Sequence, residues 1–165
     1  MTIQKITFLA VALTIGMTMS NATAQTVEES TMAGTTEERL QQGADVILKL
    51  NNGVPQTTLE NMREEFPFLA DATQAYALGD VWTRPGLDDR TRQIAAVAAF
   101  AAMGERGLMK IHAGYALNVG VTEDELKEVV YMITVPAGFP KAILASQTMA
   151  ELFVERRTAD GGSDQ

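Results

Sequence analysis

The sequence predicts an all-α domain, and three observations carry that prediction. Apolar residues recur three and four positions apart along most of the chain, the spacing that lines one face of a helix. No alternating polar–apolar run of useful length marks a half-buried strand. The interruptions are short and made of residues that stop helices, so successive helices should be antiparallel neighbours, about six to seven in one bundle. Composition fits a single enclosed core: of 165 residues, 46% are hydrophobic and 21% are charged.

Residues 1–24 stand apart from the domain. Lys5 supplies one positive charge before the apolar run from Ile6 to Met19, and Ala22-Thr23-Ala24 has the small-x-small form of a cleavage site. The segment reads as a secretory signal peptide, cleaved after Ala24. Its apolar run falls short of the roughly 20 residues that span a bilayer, so no stable membrane insertion is expected after cleavage. The chain has no cysteine, hence no lipid-modified N-terminal thiol, and the expected location is periplasmic or secreted. Residues 25–34 are small, polar and acidic and read as a disordered leader. The helical domain is expected over 35–157, with a flexible tail at 158–165.

The domain begins with a helix from Thr36 to Leu50, placing Leu40, Ala44, Ile47 and Leu48 on one side. Asn51-Asn52-Gly53 ends it. A short acidic helix from Thr58 to Glu65 follows, and Phe66-Pro67 restarts the chain, since proline suits a first helical turn. Phe68 to Trp82 carries Leu69, Ala72, Tyr76 and Gly79 at helical spacing and runs into the turn Thr83-Arg84-Pro85-Gly86. Asp88 caps the next helix, Asp89 to Met103. Its stretch from Ile94 to Ala102 is apolar nearly all round, which predicts a central buried helix and, beyond it, a higher-order oligomer. Gly104 and Gly120 bound a helix from Arg106 to Val119. Thr122 and Glu125 form a capping box, Pro136 to Pro140 interrupts, and Lys141 to Arg157 makes the last helix.

The chemistry narrows quickly. A formal charge of −8 and the lack of a basic run argue against nucleic acid. Without cysteine there is no disulfide, thiolate metal site or thiol nucleophile. No metal is expected, because His112 is the single histidine and has no carboxylate three or four residues away. Ser30, Ser146 and Ser163 sit in no nucleophile elbow. His112 shares a helix face with Leu108, Met109, Tyr115, Ala116 and Val119, and Glu105 lies two turns before it. Such a histidine is either a packed core residue or a general acid or base, since its pKa lies near neutrality. Arg84, Arg90 and Arg92 cluster near a helix start, beside Trp82. They either receive a carboxylate there or pair with Asp80, Asp88 and Asp89.

The run from Tyr76 to Arg92 (YALGDVWTRPGLDDRTR), then His112, ALNVGVT from Ala116 to Thr122, Glu125, and AGFP from Ala137 to Pro140 resembles the carboxymuconolactone decarboxylase family. The resemblance covers residues 76–145. It implies an alkyl hydroperoxidase-D-like helical fold, assembled as a homo-oligomer, a trimer or hexamer. It also implies cofactor-independent decarboxylation or lactone chemistry on a small carboxylate or lactone. On that resemblance His112 and Glu105 are the catalytic candidates, and Arg84, Arg90, Arg92 and Trp82 the substrate-binding ones; no cofactor is implied. Relatives in the peroxidase branch hold cysteines where this chain has Glu105 and Leu108, and an acid where it has Gln93. Thiol-dependent peroxide reduction is therefore excluded. Pro136 replaces a tyrosine usual in the family. The alternative function is a non-catalytic, oligomeric small-ligand-binding protein of the same fold.

Overall fold

A computed structural model describes residues 34–161; the expected signal peptide, all but the last residue of the leader, and residues 162–165 lie outside the described residues. Among the described residues the fold is all-α. Helix α1 (Thr36–Leu50) leads to α2 (Thr57–Glu65) and α3 (Pro67–Ala72), which continues without a break as a π-helix (Thr73–Trp82). Then come α4 (Asp89–Met103), α5 (Arg106–Asn118), α6 (Glu123–Met132), the one-turn α7 (Thr134–Ala137) and α8 (Phe139–Gly161). No described helix is long and apolar enough to cross a membrane.

Caps fix the helix starts. The Thr35 hydroxyl accepts from the Glu38 amide at 3.2 Å, and the Glu38 carboxylate accepts from the Thr35 amide at 2.6 Å. Thr122 and Glu125 repeat the device at α6, as their spacing predicts. Asp88 accepts from the Thr91 amide at 2.7 Å and opens α4. That bond holds the Asp88 carboxyl below the usual range.

Two apolar clusters hold the helices together. The larger joins α4, α5, α6 and α8 through Val97, Ala101, Met109, Leu126, Ile133 and Met149. The smaller consists of Ile47, Leu59 and Ala70, with Met62 and Leu78 packed against it. In this N-terminal layer α1 crosses the π-helix at two glycines. A Cβ at Gly43 would lie 2.0 Å from the Gln74 carbonyl oxygen, and one at Gly79 would lie 2.3 Å from that of Arg39. Only glycine permits backbones this close. Beside the crossing, the Arg39 guanidinium grips Asp80 through Nε at 2.9 Å and Nη2 at 2.5 Å, and Gln74 donates to the Leu40 carbonyl at 2.7 Å. The bidentate pair is partly buried, the arrangement in which an ion pair contributes most.

The fold departs from expectation in four places. Thr73–Trp82 is π-helical where an ordinary helix was expected, with wider turns that aim Trp82 inward. Helix α4 is not buried all round: Gln93, Val97 and Ala101 are buried, whereas Ala95 and Ala99 are exposed. Its alanines are small enough to leave space beside the helix rather than fill it. The Pro136–Pro140 interruption contains the turn α7, and the break falls at Gly138, with φ of 81°. Pro140 then stands in the first turn of α8, where a missing N–H costs little. Finally, α8 runs to Gly161, past the expected end at Arg157.

Candidate functional site

A cavity of about 540 Å³ lies between the N-terminal layer and the α4–α5 hairpin. Ile47, Leu59 and Leu78 line it from one side, and Phe100, Leu108 and Ile111 from the other. No lysine, arginine, aspartate or glutamate lines it. Its polar groups are few: Gln56, Thr58, Thr73, Trp82, His112 and Tyr115.

His112 reaches this wall because α5 packs against α4, whose Phe100 ring stacks on the imidazole at 5.0 Å between centroids. Trp82 approaches from the π-helix at 5.6 Å, and Tyr115, one turn further along α5, meets the imidazole edge-on at 5.8 Å. The ring is thus held on three sides by aromatic groups. His112 Nδ1 lies 2.9 Å from Gln93 Oε1, within hydrogen-bond distance. With the amide so oriented, Nδ1 carries the proton and Nε2 keeps its lone pair. Burial pushes the imidazole pKa from 6.5 down to about 4, so the ring is neutral at pH 7.

Two donors near the ring are unspent. Gln93 is fully buried, yet its Nε2 has no partner, and Trp82 Nε1 is buried without one as well. Unpaired buried donors are costly, so a pair of them beside one imidazole sets this region apart from the packed core. The Tyr115 hydroxyl accepts from Gln56 Nε2 at 3.0 Å. Burial pushes the phenol pKa up, against the opposing effect of the Gln56 bond.

Of the residues singled out from the sequence, His112 and Trp82 come together at this cavity; Glu105, Arg84, Arg90 and Arg92 do not line it. Glu105 is the N-cap of α5, with φ of −82° and ψ of 76°, and so does not follow the helical repeat that would bring it over His112. Its side chain is exposed. Arg90 is paired with Glu125. Arg92 ties down the preceding loop through the Leu87 carbonyl at 3.1 Å and the carbonyl of Arg84. Arg84 is exposed on that loop, two residues past Trp82. Among the described residues no group of three histidine, cysteine or acidic side chains is placed to hold a metal.

Three participants were not evident as site residues. Gln93 was visible only as the position where peroxidase relatives carry an acid. Tyr115 shares the His112 face, but a tyrosine on an apolar stripe looks like packing. Gln56 precedes α2 in a loop with no motif at all, and only the tertiary fold brings it to Tyr115.

The sequence profile of the carboxymuconolactone decarboxylase family matches residues 67–151. That stretch runs from the start of α3 into α8 and includes the His112 wall. The chain is 32% identical over 118 residues to 4-carboxymuconolactone decarboxylase of Acinetobacter baylyi, covering 71% of this chain and 88% of that protein. It is 36% identical over 72 residues to nitrosuccinic acid decarboxylase of Metarhizium robertsii, covering 42% of this chain and 49% of that one. The chain belongs to the carboxymuconolactone decarboxylase family.

Proposed function

We propose that the protein is an exported, cofactor-independent decarboxylase of a small carboxylate-bearing lactone or related carboxylic acid, with the reaction seated at His112. The observation that carries this reading is a neutral imidazole, oriented by Gln93, in the wall of an apolar cavity of about 540 Å³. In such a decarboxylation the bond between the carboxylate carbon and the ring carbon breaks. Carbon dioxide leaves, and the electron pair passes into the conjugated lactone carbonyl as a dienolate, which is then protonated on carbon. Apolar walls raise the energy of a localised carboxylate more than that of a dispersed dienolate, so the cavity favours the transition state. An anionic substrate beside the imidazole raises its pKa, and His112 then holds a proton at Nε2 for the dienolate. The two decarboxylase relatives support this class of reaction.

The test is turnover of 4-carboxymuconolactone by the mature protein, followed by ultraviolet absorbance and by carbon dioxide release. His112→Ala should lower the rate about 100-fold or more, the usual contribution of a general acid or base. Helicity should be unchanged. An equally active His112→Ala removes the imidazole from the mechanism. The absence of any charge in the cavity lining favours a second reading, a binding protein for a neutral apolar ligand. Saturable binding without turnover across a lactone panel would select it.

Export and self-association belong to the same proposal. Export is supported by the signal-like residues 1–24 and predicts a mature N-terminus at Gln25. A homo-oligomer, trimeric or hexameric, is supported by side chains such as Phe68, Val135 and Phe139, which are 86%, 87% and 71% exposed in the single chain. Light scattering that shows a monomer at micromolar concentration would overturn it.

A further inference from the structure

Behind Tyr115 lies a second concavity, of about 280 Å³, of opposite character. Asn51, Gln56, Lys110, Asn118 and Arg156 line it, together with Gly107 and Gly114 of α5. The two glycines are two turns apart on one helix face, and a Cβ at Gly107 would meet nothing within 4 Å. The trough therefore exists because α5 carries no side chain there.

Its cation is unusual for this protein. Around it, α8 and its neighbours pair their charges: Arg106 with Glu151, Lys110 with Glu155, and Arg157 with Glu123. Arg156 has no carboxylate partner among the described residues. Its Nη2 donates to the Gly114 carbonyl at 2.8 Å and to Asn118 Oδ1 at 2.5 Å. Both partners are neutral, and the remaining guanidinium donors are unspent. A part-buried, uncompensated guanidinium, flanked by amide side chains in a chain of net charge −8, is built to receive an anion.

The cleft and the His112 cavity share Gln56, Ile111 and Tyr115 as a common wall. The hydrogen bond between Gln56 Nε2 and the Tyr115 hydroxyl closes it, and Gln56 comes from a loop. We propose that the cleft is a carboxylate site. In it Arg156 and its flanking amides hold the distal carboxylate of a dicarboxylate whose other end lies beside His112, the Gln56 side chain moving aside to admit it. The assignment rests on the reading of the His112 cavity as the substrate site. It names the cationic anchor which that cavity lacks.

The experiment is calorimetric titration of the mature protein with adipate and with hexanoate, chains of equal length bearing two carboxylates or one. Adipate should bind at least about tenfold tighter, as a charged hydrogen-bonded contact commonly gives. Arg156→Gln should abolish that preference and leave hexanoate affinity within about twofold. Gly107→Leu, which fills the trough without touching the Arg156 bonds, should do the same and serves if Arg156→Gln fails to fold. Equal affinity for the two ligands, binding of neither, or a preference that survives in either folded variant overturns the proposal. Acetate binding lost in Arg156→Gln, without an adipate advantage, would assign the cleft to a free anion and also overturns it. Binding is read without turnover, so an adipate preference in a protein that decarboxylates nothing leaves this inference intact and removes the enzymatic reading.

Discussion

The two layers of the molecule are held together differently. The α4–α8 layer is glued by a continuous apolar cluster that includes the fully buried Leu126 and Val97. The α1–π-helix layer has a buried cluster of only Ile47, Leu59 and Ala70, and relies on a glycine crossing and the Arg39–Asp80 pair. The cavity lies where they meet. One wall is thus set in a packed core, carrying His112 and Phe100, while the other belongs to a layer with little apolar adhesion of its own. That arrangement suits a rigid reacting group opposite an adaptable substrate wall.

Cavity-forming substitutions should break this contrast most sharply. Leu126→Ala should cost about 4 kcal/mol in urea unfolding, since the side chain is packed on every side. Leu59→Ala should cost nearer 2 kcal/mol, because one side of Leu59 already faces the cavity. Equal losses would mean that the two layers are equally well packed. Next in size, Gly79→Ala should cost about 3 kcal/mol. Its Cβ would press on a backbone carbonyl at 2.3 Å, and α1 cannot yield without leaving the π-helix. A neutral result would show that the crossing is loose.

Acid should act on the rigid wall. The unfolded imidazole binds a proton below about pH 6.5 and the folded one only below about 4, so between these values the unfolded state holds more protons. Stability due to neutral His112 is therefore complete above about pH 6.5 and declines as pH falls through that window. The total is about 3 kcal/mol at most, at 1.36 kcal/mol per pKa unit. Glu125 acts lower. Bonding from the Thr122 amide and then from Arg90 holds its carboxyl near 2, so its contribution is lost between about pH 4.5 and 2. Urea midpoints measured at pH 7, 5.5 and 4 should converge in His112→Gln and diverge in the parent. The smallest expected effect is on titration alone. Gln93→Glu places a carboxylate against Nδ1 and should raise the His112 pKa by about one unit or more. The single histidine gives one ring-proton resonance from which to read it.

Helix positions were legible because their signals are local. Thr122 with Glu125, Asp88 before Asp89, and the Asn-Asn-Gly stop each act within one turn of the residue they govern. The His112 face was legible in the same way, through helical spacing. Tertiary consequences were not. Arg90 and Arg92 look like an anion receptor beside a helix start, but Glu125 and loop carbonyls occupy them, from segments no local pattern links. Glu105 fell outside the repeat because it caps the helix rather than joins it. The all-round apolarity of α4 suggested burial, yet small alanines beside a large cavity give the same composition.

The π-helix has a consequence for how this site can vary. Its wider turns hold one residue more than an α-helix would over a similar rise. Deleting a single residue between Thr73 and Trp82 would let the segment relax to ordinary winding and rotate all that follows by roughly 100°, one residue's turn. Trp82 would swing off the imidazole while the helices on either side kept their caps. The ligand wall of this fold can therefore be rewritten by a one-codon deletion.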